Sequence, residues 1–89
     1  MPVVEVPSRY RVPTRGEARI EVEGATVREC IAAVESRYPG FQELIIDAQG
    51  GQRRFVRVFL NGELHSAQAL DTAVGSGDTI TLMASAAGG

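Results

Sequence analysis

The sequence predicts an α+β fold in which one main helix packs across a mixed sheet of about five strands. Segments that alternate between apolar and polar residues, as half-buried strands do, occur before and after a single segment with helical spacing. Two strands before the helix and further strands after it favour one sheet, which the helix crosses in the right-handed sense. The chain has 89 residues, which is the length of one small domain.

The first two predicted strands form a hairpin. Residues 3–6 are rich in valine and stop at Pro7, and residues 18–23 alternate strictly, with Ile20 and Val22 on one face. Because strict alternation indicates a strand with one buried face, the second segment is the simplest antiparallel partner of the first. Residues 8–17 between the strands are predicted to form a polar loop.

A helix is predicted over Val27–Arg37. Thr26 is its N-cap, and Glu29 three residues later completes a capping box, in which each side chain accepts the backbone N–H of the other residue. Pro39 and Gly40 end the helix. The apolar stripe that faces the sheet consists of Val27, Cys30, Ile31, Val34 and Tyr38.

The strongest predicted strand covers residues 54–60. Asn61 and Gly62 follow it at once and are the clearest two-residue turn signal in the chain, so Glu63–His65 is predicted to return as a short strand. The remaining predicted elements are one helical turn at residues 41–46, a loop at 47–52, an irregular segment at 66–74, a tight turn at 75–78 and a last strand at 79–83.

One face of the predicted sheet is suited to binding a partner. Alternation places Phe55, Arg57 and Phe59 on the face opposite the helix, together with Thr81 and Met83 of the last strand. A single exposed apolar side chain means little, but a cluster beside the chain terminus indicates a docking patch. We predict that Phe59, Met83, Phe55 and Arg57 contact a partner protein.

Residues 85–89 are predicted to be a flexible tail that follows a domain of residues 1–84. The tail ends in Ala86, Ala87, Gly88 and Gly89, which are small enough to thread a narrow tunnel and to let another backbone approach closely. Gly89 would present its carboxylate to chemistry performed by another protein. An idle chain end is the simpler alternative, because termini are commonly unstructured.

The composition argues against several classes of function. A net charge of −2 disfavours general binding of nucleic acid or anionic membranes. One cysteine and one histidine, without a glycine-rich phosphate loop, disfavour self-contained catalysis, a bound cofactor or a metal site. Cys30 falls on the helix stripe and His65 near a turn, so we expect a core thiol and a solvated imidazole.

A cytoplasmic location is expected. The single cysteine allows no internal disulfide, the first residues lack the basic and apolar regions of a signal peptide, and no apolar run reaches membrane-spanning length. All nine basic residues are arginines, so the chain has no side-chain amine that an activated C-terminus could acylate. A GC-rich coding bias accounts equally well for the absence of lysine.

Three motifs, in this order along the chain, resemble those of the ubiquitin-like sulfur carriers. They are residues 58–63 (Val-Phe-Leu-Asn-Gly-Glu), residues 77–82 (Gly-Asp-Thr-Ile-Thr-Leu) and the terminal Gly88-Gly89. This family includes the small subunit of molybdopterin synthase, the thiamine sulfur carrier and the carrier of the thiocarboxylate route to cysteine. Residues 53–63 and 86–89 look most like the cysteine-route branch. Many members have two prolines before the tail, where this chain has Ala84 and Ser85.

The resemblance implies a β-grasp (ubiquitin-like) fold and chemistry at Gly89. An E1-like enzyme would use ATP to adenylate the Gly89 carboxylate, and sulfur would displace the adenylate to leave a thiocarboxylate. A sulfur-accepting synthase would then take the sulfur. In the cysteine branch this synthase uses pyridoxal phosphate to present an aminoacrylate, and a metalloprotease later frees the cysteine. ATP, pyridoxal phosphate and metal would belong to these partners, and the carrier itself would not be an enzyme.

The residues leave the destination of the sulfur open among cysteine, a thiosugar or other specialised product, molybdopterin and thiamine. Two other classes of function also remain. One is a protein modifier joined through Gly89 to lysines on its targets, and the other is an interaction module that uses its sheet face and leaves the tail idle. A further set of side chains either steers an acidic partner or is merely solvated: Arg9, Arg11, Arg15, Arg53 and Arg54.

Overall fold

The computed structural model describes residues 1–65 and 69–85 of the chain. The elements follow the order β1 (Val3–Glu5), β2 (Arg19–Glu21), α1 (Val27–Arg37), α2 (Gln42–Ile45), β3 (Val56–Leu60), β4 (Glu63–His65) and β5 (Thr79–Ala84). Short 3-10 turns occur at Ser8–Tyr10 and Ala69–Asp71. The predicted α+β arrangement is confirmed. No helix in the described part of the chain has the length and apolar character that crossing a bilayer requires.

The sheet has the strand order β2-β1-β5-β3-β4, which puts the last strand of the chain in the centre. β5 runs parallel to β1, with Val4 opposite Ile80, and antiparallel to β3, with Val58 opposite Leu82. The predicted hairpin of β1 and β2 is confirmed, because Val4 also lies opposite Ile20 in antiparallel register. Backbone hydrogen bonds therefore hold β5 on both sides.

The helix α1 covers one face of the sheet and forms the core with it. Its buried residues are those of the predicted stripe, Val27, Cys30, Ile31 and Val34, and Tyr38 just after the helix is half-buried against the same cluster. The strands contribute Val4, Ile20, Val56, Val58, Ile80 and Leu82. Removing this apolar surface from water is the dominant favourable term in folding.

The start of α1 is capped largely as predicted. The Thr26 hydroxyl oxygen accepts the Glu29 N–H at 3.1 Å. The predicted reciprocal bond is wrong by one residue, because Glu29 Oε1 accepts the N–H of Ala25 at 2.9 Å instead of that of Thr26. An antiparallel bridge between Thr26 and Ala73 accompanies this arrangement and ties the extended backbone before the helix to the segment after the second 3-10 turn.

Residues 8–17 are more than the predicted polar loop, because they bury Tyr10 and Thr14. The first turn of this segment is a 3-10 helix, and Tyr10 joins the apolar core. The Thr14 hydroxyl donates to the carbonyl oxygen of Glu17 at 3.0 Å, which allows a polar side chain to be buried with its hydrogen-bonding group paired.

The strand β3 begins at Val56, two residues later than predicted. The Val56 N–H donates to the Arg53 carbonyl at 3.0 Å, which closes a turn before the strand begins. Phe55 therefore precedes β3 instead of belonging to it. The strand β5 extends to Ala84, one residue beyond its predicted end, because Ala84 lies opposite Val56.

Gly24 permits a close approach between the chain and α1. A Cβ atom at position 24 would lie 2.9 Å from both the backbone nitrogen and the Sγ atom of Cys30. We expect Gly24→Ala to lower the free energy of unfolding by about 1–3 kcal/mol, the usual cost of overpacking, as measured by urea denaturation. Gly75→Ala is the matched control, since no described atom lies within 4 Å of its added Cβ. Equal stability of the two variants would show that the contact with Cys30 relaxes freely.

Candidate functional site

The base of the tail is fixed to the sheet. Ala84 lies opposite Val56 at the end of β5, and the N–H of Ser85 donates to the carbonyl oxygen of Phe55 at 2.6 Å. The chain therefore leaves the central strand from a defined point beside the start of β3. Of the predicted flexible tail of residues 85–89, the structure describes only Ser85. The threading and reactive residues lie outside the described residues and stay predictions: Ala86, Ala87, Gly88 and Gly89.

Next to this base lies the outer face, which we define as the sheet surface that carries Arg57, Phe59, Leu64, Thr81 and Met83. The register brings predicted residues together, because Met83 lies opposite Arg57 and Thr81 lies opposite Phe59. The intervening residues of β3 and β5 are buried under α1, as expected when successive side chains of a strand point to opposite faces. Three of the four predicted docking residues thus share one surface.

The apolar part of the outer face extends further than the sequence analysis predicted. Leu64 of β4 lies opposite Phe59 and is 57% exposed, while Met83 is 46% exposed and Phe59 is half-buried. Phe55, the fourth predicted docking residue, is 37% exposed and directly precedes β3. Leu64 was missed, although the two-residue turn after Leu60 sets the register that pairs it with Phe59.

The side of the outer face toward β1 is polar and internally bonded. Glu5 lies opposite Arg19 on β2 and opposite Thr81 on β5. Its carboxylate pairs with the Arg19 guanidinium and accepts the Thr81 hydroxyl at 2.6 Å. These residues line a groove of 230 Å³ whose other walls are mostly apolar and include Met83, Val6, Pro7, Ala18 and Leu82. These polar groups already bond to one another. Burial by another protein would therefore release more free energy at the apolar half of the outer face, toward β3 and β4.

The turn after β3 and the turn before β5 are bonded to each other. Asn61 Nδ2 donates to Asp78 Oδ1 at 3.0 Å, and Asn61 Oδ1 accepts the Thr79 N–H at 2.8 Å. Asp78 Oδ2 accepts the Gly75 N–H at 2.8 Å, as expected of an aspartate in a turn. The bond from Asn61, and then that from Gly75, favour the ionised carboxylate and hold the pKa of Asp78 below its ordinary value.

The two side chains with the greatest intrinsic reactivity, those of Cys30 and His65, are at least partly buried. Cys30 is buried as predicted, and its burial, followed by the charge of Glu29, raises the pKa of its thiol and disfavours the nucleophilic thiolate. His65 was expected to be a solvated turn residue, but it is half-buried at the end of β4. Within residues 1–65 and 69–85, no group of three His, Cys, Asp or Glu side chains is placed to hold a metal ion.

The described geometry defines a small sheet-and-helix domain whose central strand leads the chain out beside an apolar face. A model of the ThiS family matches residues 4–89. The chain belongs to the ThiS family. The sulfur carrier protein CysO of Mycobacterium tuberculosis is 32% identical over 89 residues, covering 97% of this chain and 96% of that protein. A putative sulfur carrier protein of Archaeoglobus fulgidus is 32% identical over 85 residues, covering 91% of this chain and 97% of that protein.

Solved structures agree with this assignment. A chain in the crystal structure of the Amycolatopsis orientalis BexX/CysO complex matches with a TM-score of 0.88 and 36% identity over 100% of both chains. The crystal structure of Mycobacterium tuberculosis CysO matches with a TM-score of 0.86 and 28% identity, over 96% of this chain and 99% of that one. The predicted family and the predicted β-grasp fold are therefore confirmed.

Acid should weaken the bonded unit of Asn61 and Asp78. Because the pKa of Asp78 is lowered by folding, its carboxylate contributes stability above the pKa of the unfolded chain and loses it as the pH falls through the lower folded value. Asp78→Asn should therefore reduce the loss of stability below about pH 4, measured as the urea midpoint against pH. Asp71, whose pKa is lowered by its bond to Arg28, should contribute part of the dependence of stability on pH that remains in Asp78→Asn.

Glu63→Gln is the control for this experiment, since it removes an exposed carboxylate from the hairpin next to the bonded turns. If the pH profiles of Asp78→Asn and Glu63→Gln coincided, the bonded turns would not be a source of acid sensitivity.

Proposed function

We propose that this chain carries sulfur as a thiocarboxylate at Gly89. An E1-like enzyme would transfer the adenylyl group of ATP to the Gly89 carboxylate and release pyrophosphate. Sulfide would then attack the acyl carbon and expel AMP, so that a C–S bond replaces the C–O bond to the adenylate without oxidation or reduction. A sulfur-accepting enzyme would take the sulfur from the thiocarboxylate, which is a soft anionic nucleophile.

The relatives carry the main support for this proposal. Proteins named as sulfur carriers match 97% of the chain at 32% identity, which confirms the predicted class of sulfur carrier and the prediction that the chain is not itself an enzyme. The observation that supports Gly89 as the reacting residue is that the family match extends through residue 89. The cofactors of the reaction, ATP first, belong in this proposal to the partner enzymes.

The fixed base of the tail limits where a partner enzyme has to bind. Ser85 is bonded to Phe55 at the edge of the outer face, and four residues follow it. Because an extended chain spans at most 3.3–3.6 Å per residue, Gly89 lies no more than about 14 Å from Ser85. An enzyme that takes Gly89 into its active site must therefore cover the surface around Ser85. This requirement supports Phe55, Arg57, Phe59 and Met83 as docking residues.

The chain offers few nucleophiles to its own activated end. All nine basic residues are arginines, so there is no lysine to acylate. The one thiol, at Cys30, is buried and its pKa is raised. The remaining amine is the N-terminal group of Met1, which donates to Ser76 Oγ at 3.1 Å. This composition supports a carrier whose activated acyl group persists until a partner's nucleophile reaches it.

We propose the cysteine route as the destination of the sulfur. The match to the sulfur carrier protein CysO supports this route. A pyridoxal-phosphate synthase as acceptor and a metalloprotease that later frees the cysteine are the partners that the resemblance to the cysteine-route branch implies. A specialised sulfur-containing product is the second candidate. The BexX/CysO complex supports direct assembly with a partner on either route, because it shows a relative of this chain bound to another protein. We place the chemistry in the cytoplasm, where a single unpaired thiol and a thiocarboxylate both stay reduced.

Intact-mass analysis tests the proposal. The chain is incubated with ATP, sulfide and a candidate activating enzyme, and we expect the mass increase that corresponds to replacing one oxygen by sulfur in the C-terminal peptide, dependent on ATP. High-mass adducts on other proteins that disappear when Gly89 is removed would support a protein modifier instead. Partner binding that survives deletion of Gly88 and Gly89, without any mass change, would support an interaction module.

Gly88→Val should block activation. A β-branched side chain next to the reacting residue would not fit a tunnel shaped for backbone that lacks a Cβ atom. We expect the rate of thiocarboxylate formation, followed by mass spectrometry, to fall by at least about 100-fold, which corresponds to ~2.7 kcal/mol of activation free energy. The urea midpoint should be unchanged. Gly88→Ala is the matched control and should lose less activity, since it adds a single methyl group.

Two outcomes would count against a threaded tail with a reacting carboxylate. One is an unimpaired rate in Gly88→Val. The other is activity of a chain extended past Gly89 when no protease trims the extension, since the carboxylate of Gly89 would then be blocked by a peptide bond.

Met83→Ser should weaken the reaction with the activating enzyme without weakening the fold. Met83 is 46% exposed beside the tail base, so the substitution removes apolar contact area that only a partner would cover. We expect KM for the carrier to rise by roughly three- to tenfold and kcat to stay the same. Val12→Ser is the control, because Val12 is 87% exposed but lies in the segment before β2. Equal KM values for the two variants would argue against docking at the outer face.

A further inference from the structure

A second surface beside the tail base is strongly cationic. We call it the arginine groove, a cavity of 330 Å³ whose lining includes Arg53, Arg54 and Arg57 together with Leu64 and His65 of β4. Its lining residues include no Asp or Glu. The chain as a whole has the opposite balance, with 11 acidic residues against 9 arginines. The groove therefore concentrates a third of the positive charge of an acidic protein at one place.

None of the three guanidinium groups forms an ion pair within the described residues, although Arg53 also lines a neighbouring cavity with Glu35, Glu43 and Asp47. Arg53 Nε donates to the backbone carbonyl of Glu43 at 2.6 Å, and Arg57 Nη1 donates to the backbone carbonyl of Arg54 at 2.8 Å. Both acceptors are uncharged, so these bonds position the guanidinium groups and leave their charge available. The ion pairs within the described residues lie elsewhere, between β1 and β2 and between α1 and the 3-10 turn Ala69–Asp71.

The groove adjoins the outer face and the tail base. Arg57 lies opposite Met83, and Val56, which also lines the groove, lies opposite Ala84. Leu64 belongs to both surfaces. Because Gly89 is within about 14 Å of Ser85, an enzyme that binds the tail also has to come close to the groove.

We propose that the arginine groove binds an acidic surface segment of the sulfur-accepting enzyme and thereby orients the carrier so that its tail enters the active site. This inference rests on the proposed function. Guanidinium groups without a carboxylate partner favour carboxylates, which they bind through paired hydrogen bonds. Leu64 also lines the groove and would add an apolar contact to the partner's segment. Nucleic acid is disfavoured, because the net charge of −2 would repel it from the rest of the surface.

The groove would also allow a carrier of net negative charge to approach an acidic partner. A local patch of opposite sign raises the rate of productive encounter and fixes the orientation of the two proteins, and it affects the rate of dissociation less. Weak affinity suits a carrier that has to leave one enzyme and reach the next. The effect should therefore appear in KM and in its dependence on salt, and not in kcat.

The first test measures sulfur transfer from a chemically prepared thiocarboxylate form of the chain to the accepting enzyme at several salt concentrations. Arg54→Glu reverses a charge on an exposed side chain of the groove. Arg9→Glu is the matched control, because Arg9 is an exposed arginine of the Ser8–Tyr10 turn. At low salt we expect Arg54→Glu to raise KM about tenfold with kcat unchanged, and the difference to shrink as salt screens the charges. Arg9→Glu should change KM by less than about twofold. An equal effect of the two variants, or an unchanged KM for Arg54→Glu, would overturn the proposal.

A second test does not depend on sulfur chemistry and so separates this inference from the proposed function. The ¹⁵N-labelled chain is titrated with a short peptide of alternating Glu and Val, with the corresponding Lys and Val peptide, with inorganic phosphate and with single-stranded DNA. We expect the acidic peptide alone to shift the amide signals of residues 53–57 and 63–65, and Arg54→Glu to abolish the shifts. Equal or tighter binding of phosphate or DNA would overturn the groove as a carboxylate site. A chain that binds the acidic peptide there but transfers no sulfur would contradict the proposed function and leave the groove's preference intact.

Discussion

The pairing of β5 between β1 and β3 is the interaction on which the rest of the structure depends. β5 is the last strand in sequence but the central strand of the sheet, parallel to β1 on one side and antiparallel to β3 on the other. Its inward residues, Ile80 and Leu82, are fully buried under α1. The chain therefore leaves the fold from its most constrained strand. A tail that starts there has a defined origin.

The same pairing assembles the surfaces around the tail. The register that places Met83 opposite Arg57 and Ala84 opposite Val56 brings the outer face and the arginine groove together beside the tail base. The two surfaces share Arg57 and Leu64. At the other end of β5, Asp78 and Asn61 bond the turn before the strand to the turn after β3, so the strand is fixed at both ends. The proposed function thus divides recognition from chemistry: the sheet would supply the surface that a partner contacts, and the terminal residue would supply the reacting group.

Much of this arrangement could be predicted from local patterns, because periodicity and turn signals report on one segment at a time. The bounds of α1 and β4, the buried Cys30 and the shared face of Arg57, Phe59 and Met83 follow from such patterns. Features that depend on distant segments could not be predicted in the same way. Burial of Tyr10 and Thr14, the bond from Glu29 to Ala25, and the close approach of Gly24 to Cys30 require the tertiary fold. Leu64 is an intermediate case, because the turn sets its register but exposure is a property of the whole sheet.

In the proposed function, a folded domain is needed to present a chemically simple tail to the enzyme. The most direct test compares the folded chain with a synthetic peptide of residues 80–89 as substrates of the same activating enzyme, each followed by the mass change at its C-terminus. If the sheet surfaces provide recognition, the folded chain should form the thiocarboxylate at least about 100-fold more efficiently in kcat/KM, because the peptide has the reacting carboxylate without the docking surface. Equal efficiency of the peptide and the folded chain would contradict the account, since the tail alone would then be sufficient.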